Sequence, residues 1–260
     1  MGRLALIGSY GIMGAEMLRD VESLTTTTAA GSVSAHTGQL GSSKIIYLTR
    51  SNGRPGVSPH LVNYRANALA LHEWGVTHVF ATAVAGSLTV DIRPNTLVLL
   101  DQFLDFTKRR DGSIFDSNGF ALVDMTDPYC PNLRNAILNA AQVLSIPIRP
   151  TGCYVGLEGP RFETRAEVQM YRQLGGDVVG HTNIPEVVMA RETGMCYSAI
   201  AVVTNLGAGL ASHQIARRDI HQATLEEAPT LTSLLYKTIE SFVPNDSCNC
   251  KFGPADFVSA

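Results

Sequence analysis

The sequence predicts an α/β protein: a single domain with a central mixed β-sheet flanked by helices on both faces. Two observations carry that prediction. Short apolar runs recur along the chain with helix-period segments between several of them, the alternation that builds layered sheets and helices. Three of the runs close in polar turns, at 156–167, 180–186 and 203–206, and a helix-forming segment follows the first two directly.

Taken in order, strands are predicted at Leu4 to Ile7, Ile45 to Leu48, His78 to Ala83, Leu97 to Leu100, Cys153 to Leu157, Val178 to Val179 and Ala199 to Val203. Helical spacing predicts helices over Val62 to Trp74, Leu133 to Leu144, Arg165 to Leu174, Pro185 to Glu192 and Thr224 to Phe242. Pro185 suits a first helical turn, where its missing N–H has no intrahelical role. The Ser/Thr/Gly-rich stretch 23–43 and the segment 109–126 read as excursions over the surface. The domain is expected to span residues 1–243, and 244–260 to form a tail, an arm or a disordered end.

Composition narrows the function classes. At 260 residues, 45% hydrophobic and 17% charged, the chain can enclose a sizeable core. A net charge of −3 gives no general attraction to nucleic acid or anionic membrane. No apolar run approaches the roughly 18 residues that span a bilayer, and Leu4 to Ile7 is too short for a signal-peptide core. A cytoplasmic protein with a small-molecule partner is expected, with no cofactor.

Metal and covalent chemistry find no local motif. Three of the five cysteines (Cys130, Cys153 and Cys196) are scattered through the body, and Cys248 and Cys250 form a Cys-Asn-Cys pair in the tail. The body offers no pair with metal-ligand spacing, so no metal is expected. The tail pair reads either as two reduced thiols on a mobile end or as a redox-labile disulfide or metal contact. No Ser sits in a G-x-S-x-G elbow.

Strand ends are where open α/β sheets bind ligands. Here they offer a carboxylate (Glu163), hydroxyls (Thr182, Thr204) and a carboxamide (Asn205) to one place. That set suits a neutral, hydrogen-bonding heterocycle with an anion nearby. After the first strand, Gly8 to Gly14 can approach an anion through backbone amides, or can be a plain tight turn. Its spacing does not fit the G-x-G-x-x-G dinucleotide fingerprint.

The chain resembles the trimeric purine nucleoside and methylthioadenosine phosphorylases over about Arg3 to Leu225. The carriers are Glu158-Gly-Pro-Arg-Phe-Glu-Thr-Arg-Ala-Glu167, Gly180-His-Thr-Asn-Ile-Pro-Glu-Val-Val-Met-Ala-Arg-Glu192 and Val62-Asn-Tyr-Arg-Ala-Asn67. The resemblance implies the nucleoside phosphorylase fold, inorganic phosphate as co-substrate, and a homotrimer or a hexamer of two trimers. It assigns phosphate binding to Ser9, Arg50, Thr182 and the Val84–Ala85 backbone. Base recognition falls to Phe162, Glu163 and Asn205, with Asn205 catalytic. His181 and, more weakly, His221 are matched to sugar contacts, and a neighbour's aromatic, Phe103 or Phe115, is expected to complete the site.

The base pair of residues also implies a substrate. A carboxylate only accepts hydrogen bonds, so Glu163 can take them from N1–H and a 2-amino group, while the Asn205 amide can donate to N7 and pair with O6. That points to inosine, guanosine or 5′-methylthioinosine, with methylthioadenosine as the alternative. One departure stands out. Relatives read Arg-His-Gly after the second strand with another His close by, whereas this chain has Ser51 and Gly53 in that neighbourhood. A nucleoside hydrolase, a diverged biosynthetic enzyme on the same scaffold and a silent nucleoside binder therefore stay open.

Overall fold

The structure, a computed structural model, describes residues 3–8, 14–54, 56–115, 119–245 and 247–251, and the backbone of 257–259. Its centre is an 11-stranded mixed sheet. The first strand, β1 (Arg3–Gly8), alternates its side chains between two buried faces. Leu4 and Leu6 enter one apolar cluster and Ala5 and Ile7 the other, as a strand's two-residue period requires. β4 (Ser43–Thr49) and β5 (Val76–Ser87) lie parallel on either side of it.

Helices cover both faces. On one, α1 (Tyr64–Glu73) and α4 (Glu186–Glu192) bury Ala66, Ala70, Leu71, Val187 and Ala190 against β1, β5 and β12 (Cys196–Leu206). On the other, α2 (Pro131–Leu144) and α5 (Arg217–Ser241) bury Leu133, Ile137, Leu231, Leu234 and Leu235. Each such fully buried aliphatic side chain contributes about 1.5–3 kcal/mol by leaving water. The expected α/β class and its flanking helices are both present.

Four differences from the sequence reading have physical causes. The polar stretch 23–43 is not an excursion but a long hairpin of β2 (Arg19–Thr28) and β3 (Gly31–Leu40) that extends the sheet beyond β4. Its threonines are β-branched, and their hydroxyls pair across the strands, Thr25 with Ser34 and Thr27 with Ser32. A further missed strand, β7 (Gln102–Phe106), pairs with β10 (Cys153–Leu157). Pro185 stands at the N-cap of α4, one residue before the first turn. The last helix starts at Arg217, seven residues before the predicted Thr224.

The strand order places a site. β1 accompanies β5 only as far as Ala81, while β12 runs beside β5 to its end. Past Ala81 the β1 side of β5 has no strand partner among the described residues until β11 (Val178–Gly180) pairs antiparallel with Gly86 and Ser87. The gap leaves Val84 and Ala85 without a ladder on that side. It lies where strand direction reverses, the kind of crevice in which α/β sheets hold ligands.

Candidate active site

A cavity of about 250 Å³ fills this gap. The ends of β5, β11 and β12 supply Val84, Ala85, His181, Thr182, Thr204 and Asn205, and the turn before α3 (Arg165–Gln173) supplies Phe162 and Glu163. A wider cleft of about 820 Å³ adjoins it, and Thr182 and Pro59 line both. Gly8, Tyr47, Thr49, Arg50 and Ser51 belong to that second cleft.

The turn carrying Phe162 and Glu163 is tied down on its C-terminal side. Thr164 caps α3 by accepting from the Glu167 amide, and Glu167 accepts from the Thr164 amide, a reciprocal capping box. Both Glu167 carboxylate oxygens also accept from Arg161, at 2.7 and 2.8 Å. Arg161 and the Thr164 amide together hold the Glu167 carboxyl down to about 2, well under its ordinary range. Glu163 itself is buried, with Oε1 3.4 Å from His181 Nε2. His181 thus stands against the Glu163 carboxylate.

Asn205 lines the same cavity. Its Oδ1 accepts from the Thr204 hydroxyl at 3.0 Å, and its Nδ2 donates to the Leu206 carbonyl at 3.0 Å. An amide nitrogen carries two protons, so one remains for a ligand. Gly86 faces this amide: a Cβ there would come within 3.1 Å of Asn205 Nδ2.

At the wider cleft, Arg50 is buried and its fork is already engaged. Nε and Nη2 donate to Glu186 at 2.8 and 2.7 Å. Burial opposes the guanidinium charge, but Glu186 overcomes it and the pKa of Arg50 is raised. Glu186 also accepts from Tyr197 Oη at 2.6 Å, Tyr197 Oη accepts from Asn183 Nδ2 at 2.9 Å, and Asn183 Oδ1 accepts from Tyr129. Asn67 Nδ2 donates to the Arg50 carbonyl at 2.9 Å. A buried, hydrogen-bonded chain therefore fixes where the arginine points.

A sequence profile described as the Phosphorylase superfamily matches residues 3–240. The chain belongs to that superfamily. It is 39% identical over 258 residues to a probable 6-oxopurine nucleoside phosphorylase of Thermococcus kodakarensis, covering 96% of this chain and 97% of the relative. It is 36% identical over 250 residues to an S-methyl-5′-thioadenosine phosphorylase of Pyrococcus horikoshii, covering 96% of each. Among solved structures, the methylthioadenosine phosphorylase of Schistosoma mansoni superposes with a TM-score of 0.87 at 28% identity, over 92% of this chain and 91% of that one.

Within this phosphorylase scaffold most of the expected site residues converge. Val84, Ala85, Phe162, Glu163, His181, Thr182 and Asn205 share one cavity, and Arg50 lines the adjoining cleft. His221 does not join them: it is exposed on α5, and its neighbour Ile220 lines the cavity instead. An offset of one residue on a helix turns a side chain by about 100°, which the weak motif around it does not encode. Ser9 lies outside the described residues. Phe103 is half-buried against the core, and Phe115 is half-buried beyond the Arg110 turn.

Two features were not legible in the sequence. Arg110, in the segment read as a surface excursion, donates to the carbonyls of Leu157, Glu158, His181 and Ile184 at 2.6–3.1 Å. It bolts the ends of β10 and β11 together. Residues 247–251 also lie against the sheet, bringing Cys248 Sγ to 3.3 Å from Cys196 Sγ. Neither arrangement leaves a local spacing, because each joins residues about 50 or more positions apart.

Proposed function

We propose that the protein is a 6-oxopurine nucleoside phosphorylase: phosphate and a purine β-nucleoside give free base and a ribose 1-phosphate. One observation carries the reading. Glu163 and Asn205, an acceptor-only group and an amide with a spare N–H, line one cavity that opens through Thr182 toward the cleft holding Arg50. Glycosidic cleavage builds negative charge on the departing purine, and an Asn205 N–H directed at N7 stabilises it as an oxyanion-hole donor does. Arg50, Thr182 and the Val84–Ala85 amides place phosphate beneath C1′, so proximity supplies much of the rest.

A methylthio group at the 5′ end is favoured over a hydroxyl by a specific feature. Ile220 gives the cavity an apolar surface where His221 was expected to offer a polar one. 5′-Methylthioinosine is accordingly the preferred substrate within the class. The resemblance adds a homotrimer in which a neighbouring copy lends an aromatic side chain, Phe103 or Phe115.

The test is base release from inosine and 5′-methylthioinosine with and without phosphate. The proposal expects strict phosphate dependence, a sugar 1-phosphate product and a higher kcat/KM for the methylthio substrate. Equal release without phosphate would identify a hydrolase instead.

A further inference from the structure

We propose that Cys130, Cys196, Cys248 and Cys250 form a tetrathiolate site for one zinc-class divalent metal ion, which clasps the C-terminal tail onto the sheet. Ligand atoms of all four lie within 4.8 Å of one another. A tetrahedral zinc with bonds near 2.3 Å sets its sulfurs about 3.8 Å apart, so the cluster needs only small adjustments to close on an ion. Three of the cysteines are buried and the fourth is half-buried. All are free thiols, so none is held in a disulfide with another.

The surroundings suit an anionic metal–thiolate group. Cys130 is the N-cap of α2, a 14-residue helix, and the positive end of a helix favours a thiolate there. Cys196 opens β12, and Cys248 and Cys250 come from the tail. Arg191 is buried and reaches the same turn, donating through Nη2 to the Asn249 carbonyl at 3.2 Å. Its Nε and Nη1 are buried and make no hydrogen bond among the described residues. Four thiolates outweigh a divalent ion, so a loaded cluster stays negative and gives this guanidinium a further negative partner. Binding displaces the four thiol protons into solvent and changes no oxidation state.

The clasp is structural. Cys196 pairs with His78 near the start of β5, whereas Asn205 pairs with Gly86 at its end, so the metal and the purine cavity sit at opposite ends of β12. It fastens the tail to the strand that carries the catalytic amide without touching the chemistry.

The test uses the full chain purified under reducing conditions without added chelator. Elemental analysis is expected to find about one zinc per chain, and four of the thiols should resist a thiol reagent until the protein is denatured with a chelator. Replacing the metal with cobalt should give the intense visible absorption of tetrahedral thiolate ligation. Cys248→Ser with Cys250→Ser should lose the metal and lower the Tm, while kcat/KM at low temperature stays near wild type. Should that variant fail to accumulate, metal content and the cobalt spectrum of the wild type still decide. Metal-free protein with freely reacting thiols, or non-reduced peptides showing the four sulfurs joined in disulfides, would overturn the proposal, as would undiminished metal in the double variant.

Discussion

Arg50, which lines the wider cleft, and Glu186, 136 residues away in sequence, form a two-pronged ion pair with both side chains buried. The pair sets the arginine's direction. The phosphate-binding reading of Arg50 thus depends on a residue that sequence inspection had treated only as part of a helix.

Replacing Glu186 with Gln should therefore raise the phosphate KM more than the nucleoside KM. Breaking a buried pair by removing one partner costs about 3–5 kcal/mol in stability. The amide of Gln keeps one acceptor, so the loss should fall at or below the lower end of that range. Denaturant unfolding together with KM values for both substrates checks this. Equal effects on the two KM values would place Arg50 away from phosphate.

Asn205→Asp should move preference from 6-oxo toward 6-amino substrates. A protonated carboxyl can donate to N7 while its carbonyl accepts from the 6-amino group. Loss of a well-placed donor at developing charge costs about 100- to 1,000-fold in kcat, so inosine turnover should drop by that order. The ratio of kcat/KM for inosine and adenosine is the readout, and an unchanged ratio would remove Asn205 from the base pocket.

Arg110 touches no substrate in this account, yet Arg110→Lys should lower both the Tm and kcat/KM. A lysine cannot reproduce a planar fork that donates to four carbonyls at once. The strand ends carrying Glu158 and His181 should then loosen together. Hydrogen exchange confined to 157–163 and 181–184 would report that loosening, and faster exchange elsewhere alone would contradict it.

The α3 cap predicts an acid-sensitive loop. Glu167 has its pKa lowered from 4.5 to about 2 by Arg161 and the Thr164 amide. A depressed carboxyl contributes stability that is fully present above its unfolded value and is lost as pH falls through its folded value. Protection of the Phe162–Thr164 amides should thus decline between about pH 4.5 and 2. Glu167→Gln should show weaker protection at neutral pH and little further change across that window. Hydrogen exchange at several pH values measures it.

Much of the site was readable because it sits on sequence-local turns. His181 and Thr182 directly follow β11, Asn205 lies one residue before the end of β12, and Phe162 and Glu163 sit in the short turn that the Thr164 cap of α3 holds. The chain Tyr129–Asn183–Tyr197–Glu186–Arg50 was hidden for the opposite reason: its members are scattered and individually ordinary, and only packing joins them. The hairpin of β2 and β3 was misread because hydroxyl-bearing strands look like loops when polarity is weighed above β-branching. His221 and Ile220 differ by one helical step, which pattern alone does not resolve.

The most direct test is a crystal structure with hypoxanthine and sulfate bound. The account predicts the purine in the cavity of Val84, Phe162 and Asn205, with Glu163 at N1, the Asn205 amide at N7 and O6, and sulfate between Arg50 and Thr182. A ring bound elsewhere, or sulfate excluded from the Arg50 cleft, would contradict it.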